Sequence, residues 1–206
     1  MTTVKILLAT ANAGKVREFR DMLGDARFEW SCLADHADAP AVEETGRTFR
    51  ENACLKASFY ASHYHTWALA DDSGLEVDAL SGSPGVTSAR WAQMHQAGKG
   101  DAANNELLLR QLDEVPDAQR TARFVCVLAL ADQDGRIILT AADTVEGRIA
   151  RDPAGANGFG YDPLFLIEEL GVTTAQLDPP RKHAISHRGK ALRRLRELMQ
   201  RVQLLS

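Results

Sequence analysis

Two adjacent carboxylates, Asp71 and Asp72, directly follow the apolar run Trp67-Ala68-Leu69-Ala70 and lead into Ser73-Gly74. Carboxylates at the end of a buried strand repel one another and lose solvation, so something must compensate them. A turn in which Asp71 caps the backbone is the plain alternative. A hard divalent cation explains the pair better, because magnesium takes carboxylate oxygen and leaves its other positions to water and substrate phosphate. A second acidic pair, Glu43-Glu44, precedes Thr45-Gly46 and a capped helix start. Alone it would only complement a helix dipole; it gains weight beside Asp71-Asp72.

Three further polar groups interrupt apolar segments. Thr10-Ala11-Asn12-Ala13-Gly14-Lys15 closes the run Val4 to Ala9. It is not a P-loop, which needs glycine where the chain has Ala9 and Ser or Thr where it has Val16. A strand end, a helix N-terminus and a lysine can still hold a phosphate; a loop with a surface lysine is the alternative. Asn157-Gly158-Phe159-Gly160-Tyr161-Asp162-Pro163 lacks the third glycine of a dinucleotide fingerprint. Its two glycines let the loop bend while Phe159 presents a ring that can stack on a base, although a glycine-rich turn with a core Phe is commoner. Lys182-His183-Ala184-Ile185-Ser186-His187-Arg188-Gly189-Lys190 enters the last helix. Cations there oppose the helix dipole, a conflict that an anionic or electron-rich ligand would resolve. Ser186 and His187 are not a nucleophile–base pair, since sequence neighbours point apart and no G-x-S-x-G elbow exists.

The elements that must position these groups follow from periodicity. Val4 to Ala9 reads as a strand, and Val16, Phe19, Met22 and Leu23 as the inner face of a helix. Thr48 and Glu51 form a capping box ahead of the stripe Phe49, Ala53, Ala57, Tyr60 and Tyr64. Trp67 to Ala70 and Leu75 to Leu80 read as two strands separated by the acidic turn. Asn104 to Leu112 is a helix, and Arg123 to Ala131 and Arg136 to Thr144 form a hairpin about Asp132-Gln133-Asp134-Gly135. A final helix runs from about Lys190 to Val202. Helices mixed with an antiparallel hairpin predict an α/β protein with a mixed twisted sheet, and no linker divides residues 1–206 into separate domains.

Composition narrows the function. The 206 residues carry a net charge of −4, which disfavours a protein built to grip nucleic acid. No stretch is apolar for the roughly 18 residues a membrane helix needs, and the N-terminus reads as a first strand instead of a signal peptide. Cys32, Cys54 and Cys126 form no C-x-x-C pair and are odd in number, so reduced thiols and a cytoplasmic location are expected.

Together the motifs resemble the inosine triphosphate pyrophosphatase family, which removes dITP and XTP. The resemblance runs in order through Thr10 to Lys15, Glu43 to Ala53, Ala70 to Leu75, Gly82-Ser83-Pro84-Gly85-Val86, Phe159 to Pro163 and Ser186 to Gly189. It implies two lobes with the active site in the cleft between them, usually in a homodimer. It implies that the Thr10–Lys15 segment (Thr10, Ala11, Asn12, Ala13, Gly14, Lys15) holds the triphosphate, with Ser73 touching phosphate. Glu44, with Glu43, and Asp72 would bind Mg2+, Asp72 also serving as general base. Phe159, Gly160, Tyr161, Asp162, Lys182, His187 and Arg188 would surround the nucleoside. Leu177-Asp178-Pro179-Pro180-Arg181 departs from the family's acidic stretch before Lys182. Hypoxanthine and xanthine present O6 and N1–H, so Arg188 or His187 donating and Asp162 accepting would select them over adenine. The rival readings are a pyrophosphatase for standard or methylated pyrimidine nucleotides and a nucleotide- or RNA-binding protein without turnover, using the basic run Arg181 to Arg196.

Overall fold

The computed structural model describes residues 4–23, 28–36 and 38–201. Seven strands form one mixed sheet: β1 (Val4–Leu8), β2 (Phe28–Cys32), β3 (Trp67–Val77), β4 (Thr121–Ala131), β5 (Ile137–Ile149), β6 (Phe165–Ile167) and β7 (Val172–Thr173). Their order is β2-β1-β3-β4-β5-β6-β7, with β1 parallel to β2 and β3, and β6 antiparallel to β5 and β7. The α-helices are α1 (Ala13–Met22), α2 (Phe49–Tyr64), α3 (Trp91–Met94), α4 (Gly100–Gln111), α5 (Pro179–Ile185) and α6 (His187–Arg201). The expected mixed α/β class is the observed one.

By its contacts the chain divides into two units: unit 1 is residues 1–72, 126–143 and 188–206, and unit 2 is residues 73–125 and 144–187. In unit 1, Ile6, Leu8, Phe19, Leu69, Leu128, Leu130, Leu192 and Leu195 form a core, in which the second half of parallel β1, Ile6 to Leu8, is buried on both faces. In unit 2, Leu75, Leu108, Leu112, Phe124, Tyr161, Leu164 and Phe165 do the same. Burial of these side chains at about 25 cal/mol per Å² of apolar area is the main stabilising term in each.

Local signals hold where they are specific. Thr48 caps α2 by accepting from Glu51 N, and Glu51 reaches back to the Thr48 backbone. Asp132 closes the turn between β4 and β5, its Oδ1 accepting from Asp134 N and Arg136 N, each at 3.0 Å. A connection that short between hydrogen-bonded neighbours makes a hairpin, since a parallel crossover needs a dozen residues or more.

Two expectations require correction. Asp71-Asp72-Ser73-Gly74 is not a turn between two strands, because β3 runs unbroken from Trp67 to Val77. The basic segment does not enter one helix either. Asp178 caps α5, accepting from Arg181 N, and Pro179 opens it, so Lys182 and His183 fall in its last turn, where cations suit the dipole. His187, Arg188 and Lys190 sit in the first turn of α6.

Unit 2 contains an unusual buried cation. Arg120 is 2% exposed and has its guanidinium on three carbonyls: Nε to Ile149 O at 2.9 Å, Nη1 to Leu112 O at 2.6 Å and Nη2 to Ala150 O at 3.1 Å. Leu112 ends α4, so Arg120 satisfies a helix C-terminus and ties it to the end of β5. Arg120→Met should therefore destabilise the protein by about 3 kcal/mol in urea unfolding, because three buried acceptors lose their donor.

Candidate active site

The acidic residues and the phosphate-type loop belong to unit 1. The parallel register Leu8 to Leu69 brings the end of β1 level with the acidic part of β3. Beyond β1 the chain turns on itself: Thr10 Oγ1 accepts from Asn12 N at 3.2 Å, and Asn12 Oδ1 caps α1 by accepting from Lys15 N at 3.0 Å. Gly14 is buried, while Ala11, Asn12 and Ala13 are exposed. Lys15 reaches across to β3, where its ammonium pairs with Asp71 Oδ1 and lies 3.5 Å from the Asp71 carbonyl.

Successive side chains of a strand point to opposite faces, and Asp71 and Asp72 accordingly meet different partners. The Asp71 side chain is wholly buried. Its Oδ2 accepts from Arg188 Nε at 2.9 Å and from Cys126 Sγ at 3.2 Å, and Arg188 Nη1 pairs with Glu18. Burial by itself would raise the Asp71 carboxyl; Arg188 and Lys15 outweigh it and hold the pKa well below the usual carboxylate range. Burial, reinforced by the Asp71 charge, pushes the Cys126 thiol well up, so it is an inert donor.

Asp72 faces Lys56. The Lys56 Nζ lies 2.8 Å from Asp72 Oδ1 and 2.8 Å from Glu44 Oε1, so two carboxylates converge on one cationic point. Asp72 Oδ2 is buried with no hydrogen-bond partner. Burial raises the Asp72 carboxyl, and Lys56 only partly opposes this. Glu44 is brought in by the loop before α2. Gly46 N donates to Asn52 Oδ1 at 2.8 Å, and a Cβ at Gly46 would stand 2.5 Å from that oxygen. Only glycine lets the loop lie this close. Glu43 is exposed.

These residues fit a divalent ion of magnesium type. Glu44 and Asp72 supply hard oxygen directed at one position, and a bare buried carboxylate oxygen is a donor in want of a cation. Among the described residues no three His, Cys, Asp or Glu side chains gather as a complete metal cage, so water and substrate oxygen would have to complete the set.

The aromatic loop and its neighbours belong to unit 2. Gly158 and Gly160 both have positive φ, 78° and 62°, which gives the bend expected around Phe159. Buried Asp162 organises the loop: Oδ2 accepts from Phe159 N at 2.8 Å and from the Lys182 ammonium, while Oδ1 accepts from Thr174 Oγ1 at 2.8 Å. The Lys182 Nζ also lies 5.2 Å from the centre of the half-buried Phe159 ring. Gly160 O accepts from Asn105 Nδ2 at 3.0 Å. Tyr161 is a core residue whose hydroxyl donates to Ser88 O at 2.9 Å. His187 stacks on Phe124 with ring centres 4.8 Å apart, and half-buried Ser73 opens the unit.

The structure therefore gathers Lys15, Asp71 and Arg188 in one network, Glu44 and Asp72 in a second, and Phe159, Asp162 and Lys182 in a third. Sequence reasoning missed Glu18, Asn52 and Lys56. The available signal was helical spacing: Asn52 and Lys56 are one turn apart on α2, and Glu18 sits beside Phe19 on the inner side of α1.

The two aspartates should respond oppositely to the same change. Asp71→Asn strips a buried carboxylate from two cations and should cost about 3 to 5 kcal/mol in urea unfolding. Asp72→Asn removes a charge that burial disfavours, and the midpoint should stay level or rise.

Residues 6–198 match the Ham1 family. The chain is 54% identical over 192 residues to the dITP/XTP pyrophosphatase of Exiguobacterium sibiricum, covering 93% of this chain and 95% of that protein. It is 51% identical to the dITP/XTP pyrophosphatase of Geobacillus kaustophilus, covering 94% and 93%. The solved HAM1 protein of Coxiella burnetii superposes with a TM-score of 0.84 at 40% identity, covering 97% of this chain and all of that one. The nucleoside-triphosphatase / dITP/XTP pyrophosphatase of Mycobacterium abscessus gives 0.73 at 44% identity, covering 93% and 98%. With its end-to-end match to the family and its half-identical relatives, this chain belongs to the Ham1 family.

Proposed function

We propose that this protein is a magnesium-dependent nucleoside triphosphate pyrophosphatase that converts dITP, ITP and XTP to the monophosphate and pyrophosphate. The observation that carries the reading is the convergence of Glu44 and Asp72 on one cationic point, with Asp72 Oδ2 buried and bare. The names of the relatives, dITP/XTP pyrophosphatase, supply the substrate class. The odd, unpaired cysteines fit a reducing cytoplasm, and among the described residues no helix is long and apolar enough to cross a membrane. The homodimer rests on the family resemblance, and the net charge of −4 supports a free nucleotide over nucleic acid as partner.

Cleaving the bond between α- and β-phosphate asks for charge neutralisation and a water held in line, and for little covalent help. Bound by Glu44 and Asp72, magnesium would supply positive charge to the phosphate oxygens. Lys15 adds an ammonium that Asp71 keeps in place, and the Asn12-capped start of α1 adds backbone N–H groups. Ser73 is assigned to phosphate beside them. Asp72 Oδ2 is assigned to the attacking water, which it orients and from which it accepts a proton. Glu44, through Oε1, takes the metal role ahead of exposed Glu43.

Base selection falls to a donor–acceptor couple in unit 2. Asp162 accepts and Lys182 donates, side by side near the Phe159 ring. An N1–H with a neighbouring O6 complements that couple, whereas adenine offers an acceptor to the carboxylate and an amino group to the ammonium. Of the donors expected for O6, Arg188 directs Nε and Nη1 to Asp71 and Glu18 and His187 stacks on Phe124 with its ring nitrogens at the edge; Lys182 joins them as the donor beside Asp162. A buried double mismatch of this kind discriminates by about 10⁴.

Pyrophosphate release with ITP should require Mg2+ and stop when the metal is chelated; equal release without metal would overturn the reading. Asp72→Asn should lower kcat by about 10³ or more in the same assay. The kcat/KM for ITP should exceed that for ATP by about 10⁴, and Lys182→Met should narrow the gap mainly by weakening ITP.

A further inference from the structure

Lys56 has no part in the chemistry derived above, yet it holds the position to which both proposed metal ligands point. Its side chain is 12% exposed, and its ammonium lies 2.8 Å from Glu44 Oε1 and 2.8 Å from Asp72 Oδ1. A buried carboxylate pair without a counter-charge is expensive, and Lys56 supplies one. Its place is set by the capped helix α2, one turn beyond Asn52, the residue that anchors the Glu44 loop. One helix thus both delivers Glu44 and neutralises it.

We infer that Lys56 is a resident stand-in for the divalent ion, a positioning residue that holds Glu44 and Asp72 together in the substrate-free protein and keeps metal from loading before nucleotide. The inference rests on the metal reading of the preceding section. A magnesium ion coordinates carboxylate oxygen at about 2.0–2.1 Å, closer than the ammonium stands, so ion and ammonium compete for the same two oxygens. Two positive charges facing one carboxylate pair repel strongly in a partly buried site. The competition ends when a triphosphate arrives, because its oxygens offer the flexible lysine stem an alternative partner. Metal and nucleotide then bind in a linked manner, each tightening the other by the same factor. Asp72 Oδ2, buried and without a partner, stays outside that competition and keeps its place toward the attacking water.

The test is Mn2+ binding to the full-length protein, followed by electron paramagnetic resonance of the free ion. It is run first without nucleotide and then with an ITP analogue carrying an imido link between α- and β-phosphate. Lys56→Met should bind Mn2+ about tenfold more tightly than wild type without nucleotide, and the analogue should add little to it. Wild type and Lys56→Arg should bind Mn2+ weakly alone and about tenfold better with the analogue. Lys56→Gln gives the same comparison should the methionine variant fold poorly, and circular dichroism checks the fold. A folded neutral variant that binds Mn2+ no better than wild type, while wild type gains with the analogue, overturns this inference alone. If wild type takes up no Mn2+ even with the analogue, the metal reading itself fails.

Discussion

Two carboxylates placed side by side in a buried strand must each find a positive charge, and the local architecture follows from that requirement. The pleat of β3 separates them. Asp71 turns to Lys15 and Arg188, which come from the first and last helices of unit 1. Asp72 turns to Lys56 on α2. The first solution is saturated: both Asp71 oxygens are bonded, and the carboxyl is held ionised by two cations. The second is incomplete, for one Asp72 oxygen is bonded and the other is not. Asp71 is tied into the frame and Asp72 is left under-satisfied beside it, which is how a cluster can remain polar and incomplete inside a packed surrounding.

Unit 2 repeats the contrast in a milder form. Asp162 satisfies Phe159 N, Thr174 and Lys182 and so makes a bent glycine loop rigid. At Gly158 a Cβ would fall 2.0 Å from Asp162 Oδ2, so the loop closes on its carboxylate only because that residue has no side chain. Tyr161, next door in sequence, points into the core instead. A contiguous motif therefore contains residues of two kinds, those that shape the loop and those the loop presents.

Much of this is legible in the sequence. The capping box at Thr48 and Glu51, the turn at Asp132 and the flexed glycines around Phe159 are local signals with local causes, and each appears where its chemistry demands. In the sequence Asp71 and Asp72 read as the end of a strand, because charge in a buried strand is usually excluded. Here cations distant in sequence make it tolerable, the Arg188 partner lying 117 positions away. The same long range hid Lys56, which looks like any helix lysine until Glu44 and Asp72 are brought to it. Asp178-Pro179 carries a helix-start signature that competes with the run of basic residues after it, and the structure follows the signature. The placement of Arg188 on Asp71 and Glu18, away from a simple role in reading a base, depends wholly on tertiary packing.

The division of the chain has a bearing on how the molecule is made. The chain leaves unit 1 after Asp72, returns at Cys126, leaves again after Asp143 and returns finally at Arg188. During synthesis, every residue of unit 2 therefore emerges before the body of α6, Arg188 onward, does. The core of unit 1 waits for Ala191, Leu192, Leu195 and Met199 from that last helix, and Asp71 waits for Arg188. The residues of the unit 2 core are thus all present in the chain before those of the unit 1 core are complete. The arrival of α6 is then what completes the first core, which makes chain order part of the folding route.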